Sequence, residues 1–350
     1  MTPRQRVETV LRQDVPDKTP LTMYKGMVPQ CAVERQLRND GLCIVTGSGV
    51  FTTKTPNVTR ETRHYTENDL PRVRTVIHTP VGDLTALDQP ADFTSWRLEK
   101  LFKRPEDYKP LLFMINDQHH EPNYEAFLKA EKAFGEDAIL RAGIGLTPLH
   151  EIMIHWMGVE TFAVEWAERR DEILRLYDAM VEQHRRIYPL VAQSPALHAN
   201  YGGNEVPEVM GLERFEKYVV PLYNEAGEAF HRHGKLLGAH LDGNNKLWAK
   251  AVADSALDYV EAFTPAPNSD MTVAAALAAW PGKVLWINFP SSLHLASIET
   301  IEATTRQMIR EAAPGNRFLI GITEDIPEDR WQGNMLAIAR VINQEASRSR

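Results

Sequence analysis

A histidine and an aspartate stand two residues apart in the segment HLDGNN, where His240 and Asp242 follow the apolar run KLLGA. Residues two apart in a strand point to the same face, so both side chains can converge where the strand ends. A third ionisable group, Glu324, follows the late apolar run RFLIGIT. One imidazole and two carboxylates match the three protein ligands of a catalytic zinc site, which keeps room for substrate or water.

Polar side chains also stand at the ends of other apolar runs. Asn204 and Glu205 follow ALHANYGG, Glu261 follows the start of YVEAF, and Asn288 follows VLWI. We interpret Glu205 or Glu261 as the catalytic group that orients substrate or moves a proton. The candidates for contacts with substrate are Tyr24, Asn204, Asn288 and Trp156.

Each candidate ligand also has a structural interpretation. His240 could be a core histidine bonded to a backbone carbonyl, Asp242 could cap the next helix, and Glu324 could be a first-turn acid of the last helix. His150 and His155, in TPLHEIMIHW, are five residues apart rather than the four of paired helix ligands. A place in the core or in the lining of a pocket therefore suits these two better than metal binding.

Short apolar runs alternate with amphipathic segments along most of the chain. Strands that alternate with helices indicate a parallel sheet covered by helices. Eight runs have the character of strands: LTMY, LCIV, AILRAGIGL, ALHANYGG, KLLGAHL, YVEAF, VLWINF and RFLIGI. Eight is the strand number of a closed (β/α)8 TIM barrel, in which the active site forms at the carboxyl ends of the strands.

Two features are added to this α/β barrel. Thr2, Pro3 and Gln5 predict an N-terminal helix, since they supply an N-cap, a first-turn proline and a capping-box partner. Residues 58–90 alternate polar and β-branched side chains around Asn68 and Asp69, which predicts an antiparallel hairpin insertion. No linker composition divides the chain, so we predict one domain over residues 1–350.

Composition excludes several classes of protein. Hydrophobic residues make up 43% and charged residues 25% of the chain, as in soluble globular proteins. The formal net charge of −8 and the lack of a basic block argue against nucleic acid or an acidic membrane as partner. Two cysteines cannot form a disulfide framework, and the N-terminus lacks the apolar stretch of a signal peptide. We therefore expect a cytoplasmic protein.

Several segments resemble one protein family. The opening MTPRQRVETVLRQDVPDKTPL, the pair TPVGDL and FKRPEDYKPL, and the stretch FEKYVVPLYNEAGEAFHRHGKLLGAHLDGN are similar to the uroporphyrinogen decarboxylase superfamily, in its branch of corrinoid-dependent methyltransferases. The resemblance implies a (β/α)8 barrel, and dimers are common in the family. The arginine-rich loop that binds porphyrinogen carboxylates is absent from MYKGMVPQCAVERQL, so we do not expect porphyrinogen decarboxylation.

The resemblance also implies a metal site with altered ligands. The family's methyltransferases bind zinc through a histidine, a cysteine two residues later and a second cysteine after the last strand. His240, Asp242 and Glu324 stand at the matching positions, so both thiolates are replaced by carboxylates. Carboxylates favour harder metal ions and oxygen ligands, and a metal in such a site suits the polarisation of an ether oxygen.

Three hypotheses follow. The first is a metal-dependent O-demethylase, a methyltransferase that takes the methyl group of a methoxylated small molecule, aromatic or not, and passes it to a corrinoid (cobalamin) on a separate protein. The second is a metal-free decarboxylase or lyase that uses Asp242, Glu324 and His240 as acid–base groups. The third is a barrel that binds a ligand without turnover.

Overall fold

The computed structural model describes residues 1–91 and 94–348. The strands are β1 (Leu21–Tyr24), β2 (Leu42–Gly47), β3 (Phe51–Lys54), β4 (Thr59–Glu67), β5 (Leu70–Thr79), β6 (Gly82–Ala91), β7 (Thr94–Glu99), β8 (His119–Pro122), β9 (Ala138–Gly145), β10 (His198–Tyr201), β11 (Leu236–His240), β12 (Tyr259–Phe263), β13 (Val284–Asn288) and β14 (Phe318–Ile322). The α-helices are α1 (Pro3–Leu11), α2 (Ala32–Asn39), α3 (Tyr108–Asn116), α4 (Glu125–Phe134), α5 (Pro148–His150), α6 (Val159–Glu168), α7 (Arg170–Ala192), α8 (Pro207–Met210), α9 (Leu212–Tyr218), α10 (Val220–His231), α11 (Ala249–Asp254), α12 (Val273–Ala279), α13 (Ile298–Glu311) and α14 (Glu328–Arg348). A π-helix, Glu151–Met157, follows α5.

The predicted barrel is confirmed. Its strands close in the order β1, β14, β13, β12, β11, β10, β9, β2, and all neighbours are parallel. Every residue of β12, β13 and β14 is buried. Continuous burial is expected of parallel strands because side chains fill one face and helices cover the other. The strands therefore end at one common edge, where a site can form.

The predicted N-terminal helix is confirmed as α1. Thr2 is its N-cap and accepts a hydrogen bond from the Gln5 backbone, while the Gln5 side chain accepts one from the Thr2 backbone. The two bonds satisfy N–H groups that a helix start leaves without partners. The apolar face of α1 joins a core cluster with residues of the barrel strands through Val7, Val10 and Leu11.

The predicted hairpin at 58–90 is confirmed, and the sheet that contains it is larger. β4 and β5 pair antiparallel around a two-residue turn, Asn68 and Asp69, whose φ angles are 52° and 60°. Such positive φ angles are typical of type I′ hairpin turns, for which asparagine and aspartate are suited. β6 and β7 continue the pairing to make a four-stranded sheet, and β3 pairs with β8 in a separate small sheet.

The chain divides into two compact units. The first consists of Met1–Val50, Asn123–Gly145 and Val191–Arg350 and contains the barrel. The second consists of Phe51–Pro122 and Leu146–Leu190 and contains both antiparallel sheets. The single domain over residues 1–350 stays a prediction. In the described part of the chain, no helix combines the length and hydropathy needed to cross a membrane.

One glycine makes room for a tyrosine that links three barrel strands. Gly238 of β11 lies opposite Tyr259 of β12, and a Cβ at Gly238 would overlap the Tyr259 ring. The ring therefore crosses β11, and its hydroxyl reaches β10. There the hydroxyl lies 3.0 Å from the Ala199 carbonyl oxygen and 2.6 Å from Asn200 Oδ1, and its one proton is shared between these two acceptors. Because Asn200 belongs to the site described below, this packing also positions functional groups.

Gly238→Ala should lower the melting temperature of the protein. The added methyl group has no space beside the Tyr259 ring, and overpacking of this kind costs about 1–3 kcal/mol of unfolding free energy. Gly282→Ala is the matched control, because a Cβ there meets nothing within 4 Å. Thermal unfolding followed by circular dichroism measures both variants. Equal melting temperatures for the two would contradict the packing role of Gly238.

Candidate active site

A buried carboxylate lies at the centre of the barrel's polar groups. The Glu261 side chain is fully buried and receives polar groups from four other strands. Its Oε2 accepts hydrogen bonds from Asn200 Nδ2 at 3.1 Å and from His240 Nδ1 at 2.8 Å. Its Oε1 accepts the Tyr24 hydroxyl and forms an ion pair with Arg141 Nη1 at 3.0 Å. Each carboxylate oxygen thus has two partners.

These partners keep Glu261 ionised. Burial would raise the pKa of the carboxyl, but the charges of Arg141 and His240 and the hydrogen bonds from His240 and Tyr24 hold that pKa far below its ordinary range. A buried charge is tolerated only when it is paired and hydrogen-bonded in this way. Glu261, which we predicted as a catalytic candidate, is therefore an anion at neutral pH.

His240 is oriented by Glu261. Because its Nδ1 faces Glu261, its Nε2 points away from that carboxylate and lies 3.6 Å from Asp242 Oδ2. Burial would lower the pKa of the imidazole, but the charge of Glu261 and the interactions with Asp242 raise it to about 10. The ring therefore holds two N–H groups at neutral pH, one anchored on Glu261 and one directed to Asp242.

The backbone is irregular beside these residues. Ala262 has a φ of 56°, and the register of β12 against β13 shifts between Glu261 and Phe263. A second register shift, in β10 against β9, lies between Asn200 and Tyr201. Bulges of this kind re-aim side chains and are common near active sites. Positive φ at a non-glycine residue costs about 1–3 kcal/mol and is typical of functional positions.

Sequence reasoning missed Arg141 and Asn200. Both lie within strands rather than after them, Arg141 in AILRAGIG and Asn200 in ALHANY. Arg141 lies over the Tyr24 ring, 5.6 Å from its centroid, besides its ion pair with Glu261. The available signal was a polar or charged residue inside an otherwise apolar strand, since such a residue in a parallel barrel must find a partner.

The structural interpretations of His240, Asp242 and Glu324 are wrong. His240 Nδ1 bonds the Glu261 carboxylate rather than a backbone carbonyl. The helix after Asp242 is α11, whose N-cap is Trp248. The last helix, α14, begins at Glu328, so Glu324 precedes its first turn. None of the three residues therefore has the structural role, as core histidine, helix cap or first-turn acid, that the sequence also suggested for it.

Glu324 and Asn288 meet at the end of the last two barrel strands. Asn288 is buried, and its Oδ1 accepts a hydrogen bond from the Thr323 backbone at 3.0 Å. Glu324 accepts a hydrogen bond from the Ser291 hydroxyl. Partial burial and the charge of Asp242 raise the pKa of the Glu324 carboxyl, against the opposing effect of Asn288. Glu324 is therefore electrostatically coupled to Asp242.

The remaining predicted residues are distributed as follows. The Tyr24 hydroxyl donates its hydrogen bond to Glu261. The Asn204 backbone N–H donates to the His240 carbonyl at 3.0 Å, which fixes the end of β11. Glu205 is fully buried, and its Oε2 accepts a hydrogen bond from the Gly203 backbone at 2.8 Å. Trp156 belongs to the second unit, where it is buried in the π-helix.

The predicted metal ligands are only partly arranged for a metal. Two ligands of one tetrahedral zinc lie about 3.4 Å apart, and His240 Nε2 and Asp242 Oδ2 are 3.6 Å apart. Glu261 on Nδ1 is also the carboxylate partner that metal-binding histidines commonly have. However, no group of three or more His, Cys, Asp or Glu residues within 1–91 and 94–348 is placed to hold a metal ion. As a three-ligand set, the residues do not fit a metal in the arrangement described.

Comparisons with known proteins identify a shared fold. No protein-family model and no curated protein matches the chain. A methyltransferase from Methanosarcina mazei is similar, with a TM-score of 0.60 and 12% identity over 99% of each chain. A catalytic module of a pneumococcal exo-beta-D-N-acetylglucosaminidase has a TM-score of 0.40 and 10% identity, covering 93% of this chain and 84% of the module. The first likeness shows a shared barrel fold, and the second is too weak to carry an argument.

The contribution of His240 to stability should decline at alkaline pH. Its folded-state pKa of about 10 lies above the ordinary 6.5, so the stabilisation is fully present below about pH 6.5 and is lost as pH rises through about 10. We expect the difference in melting temperature between the wild type and His240→Gln to narrow over that range. Thermal unfolding at several pH values, with a chelator present, measures it. A constant difference would mean that the imidazole is not held as a cation.

Proposed function

We propose that this chain is an enzyme that demethylates a small methoxylated molecule and delivers the methyl group to a corrinoid carried by a separate protein. The observation that carries the proposal is the anchored imidazole: Glu261 holds Nδ1 of His240, so Nε2 is directed towards Asp242. An ether oxygen is a poor leaving group, and a positioned N–H donor assists its departure by giving it a proton.

In the proposed step, a methyl group moves from the ether oxygen of the donor to the cobalt of the corrinoid. The acceptor, cobalt(I) of the corrinoid, supplies the electron pair that forms the new bond to the methyl carbon. The C–O bond breaks, its electrons stay on oxygen, and the oxygen takes the proton of His240 Nε2. Glu261 stabilises the imidazolium before transfer and fixes the ring, while the Asp242 carboxylate lies 3.6 Å from Nε2 and favours the charged ring. The leaving product is a neutral hydroxyl compound.

The other polar groups of the site hold Glu261 or Glu324 in place or are placed to contact the substrate. Arg141, Tyr24 and Asn200 hold the Glu261 carboxylate, so they act through it rather than on substrate. Asn204 is exposed beside the end of β11 and is our candidate for a contact with the substrate. We assign Asn288 to positioning Glu324 rather than to binding substrate, because its Oδ1 accepts the Thr323 backbone N–H and its amide bonds the Glu324 carboxyl.

Two further facts support the family that the proposal implies. The segments similar to the uroporphyrinogen decarboxylase superfamily run from the first residues to the HLDGN stretch. The structurally similar protein from Methanosarcina mazei is named a methyltransferase, and the similarity covers 99% of both chains. We therefore place the chain, as a proposal, in the methyltransferase branch of that superfamily.

A metal-dependent form of the reaction is the variant that the family implies. His240, Asp242 and Glu324 would hold a zinc or another divalent ion, which supplies a Lewis acid for the ether oxygen. The reaction as derived above uses none, because the three side chains do not assemble into a ligand set. Elemental analysis of protein purified without chelator distinguishes the two forms: about one ion per chain, lost in Asp242→Ala, would select the metal-dependent form.

Replacing His240 should abolish most of the methyl transfer. With a methoxyarene donor and cob(I)alamin as acceptor, we expect His240→Gln to lower the initial rate by about 10²–10⁴-fold, the usual contribution of a positioned acid. His233→Gln is the matched control, because that histidine is exposed and lies just after α10. The absorbance change of the corrinoid gives the rate, and circular dichroism confirms folding.

The same assay separates the second candidate function. Glu261, His240 and Asp242 form a continuous line of ionisable groups from the buried centre outward, an arrangement that can also deliver a proton to a carbanion. A metal-free decarboxylase would release carbon dioxide from a small carboxylated substrate and leave cob(I)alamin unchanged. That result would overturn the proposed methyl transfer, whereas a methyl transfer rate that His240→Gln does not affect would overturn the role of His240 as the proton donor.

A further inference from the structure

The second unit contains a cavity of its own, of about 430 Å³. Every residue that lines it belongs to Phe51–Pro122 or Leu146–Leu190. Small-molecule sites have volumes of about 300–1,000 Å³ and combine an apolar wall with a few placed polar groups. One wall here is the four-stranded sheet, and the other is formed by α3 and the π-helix.

The sheet presents one face to this cavity. Arg60 on β4 pairs with Ile77 on β5, and Asp88 on β6 pairs with Arg97 on β7. Directly opposed residues of antiparallel strands share a face, so these four side chains lie on the same side of the sheet. Arg97 Nε donates to Asp88 Oδ1 at 2.8 Å, so these two charges neutralise each other. Arg60 lies at the other edge of the same face.

The π-helix presents Glu151, His155 and Trp156 to the same cavity. Its hydrogen bonds join residues five apart, so one turn is wider than an α-turn and residues four or five apart share a face. Of the two histidines in TPLHEIMIHW, only His155 belongs to the π-helix and lines the cavity, because His150 lies in α5. π-helical turns are rare and are frequent at functional sites.

Two opposite charges remain for a ligand. Among the described residues, neither the Arg60 guanidinium nor the Glu151 carboxylate takes part in an ion pair, and the two lie on opposite walls. A guanidinium recognises a carboxylate by two parallel hydrogen bonds, and a carboxylate recognises an ammonium group. The side chains of Ile77, Leu101, Met114 and Trp156 supply an apolar and aromatic surface in the same cavity.

We propose that this cavity binds a small zwitterion that carries a carboxylate, a cationic nitrogen and an apolar body. Arg60 binds the carboxylate, Glu151 binds the nitrogen, and the apolar body lies against Ile77 and Trp156. The paired Asp88 and Arg97 contribute no net charge, so the ligand is neutral overall. The proposal is independent of the methyl-transfer chemistry, since it concerns binding to the second unit alone.

A matched set of three probes tests the charge requirement on the full-length protein. L-phenylalanine carries both charges, 3-phenylpropionate lacks the ammonium group, and phenethylamine lacks the carboxylate. Isothermal titration calorimetry gives the dissociation constants. We expect phenylalanine to bind at least about 10-fold more tightly than either single-charge probe, since each charge-assisted bond contributes about one such factor.

Variants assign each charge to its residue. Arg60→Gln should weaken the binding of phenylalanine and leave the binding of phenethylamine unchanged. Glu151→Gln should weaken the binding of phenylalanine and leave the binding of 3-phenylpropionate unchanged. Arg63→Gln, on the opposite face of β4, and Glu160→Gln, at an exposed position of α6, are the controls and should alter the binding of none of the three probes. Equal binding of all three probes, no binding of phenylalanine at millimolar concentration, or equal losses in the control variants would overturn the proposal.

Discussion

The ionised Glu261 carboxylate is the constraint on which the polar interior of the barrel depends. A carboxylate without solvent is costly unless its oxygens are paired, and here the partners come from β1, β9, β10 and β11. Those strands are distant in sequence but converge in a closed barrel. The barrel therefore does more than enclose a core, because its closure brings the four partners to one charge. Loss of any one partner would leave a buried charge incompletely compensated.

The packing of Tyr259 against Gly238 also helps to position a partner of the Glu261 carboxylate. Tyr259 can reach Asn200 because Gly238 offers no side chain, and Asn200 then presents its amide to Glu261. The bulge at Ala262 directly follows Glu261, and the register of β12 against β13 shifts between Glu261 and Phe263. A regular β12 would continue the alternation of side chains through this point. The positive φ of Ala262 and the glycine at position 238 are thus explained by one requirement, which is the placement of the Glu261 carboxylate.

Functional residues at the strand ends could be predicted from the sequence more readily than the residues that pair with Glu261. Eight apolar runs and their rhythm were sufficient for the barrel, and His240 and Glu261 were found because they stand at or near strand ends. Arg141 could not be assigned in the same way, since its partner lies on a strand 120 residues later and pairing across a barrel is a property of closure. Trp156 lies in the second unit, and its contact with substrate stays a prediction.

The anchoring of His240 is compatible with both forms of the proposed reaction, the one with a metal ion and the one without. Glu261 fixes Nδ1 and thereby the direction of Nε2, whether that nitrogen carries a proton or coordinates a metal ion. What differs is the groups that Nε2 meets. Thiolates at positions 242 and 324 would favour a soft metal, whereas carboxylates are harder ligands and also accept protons. Asp242 lies 3.6 Å from Nε2, while Glu324 bonds Ser291, so only one of the two carboxylates is beside the imidazole. The position of Glu324, more than that of His240, therefore decides which chemistry the site can support.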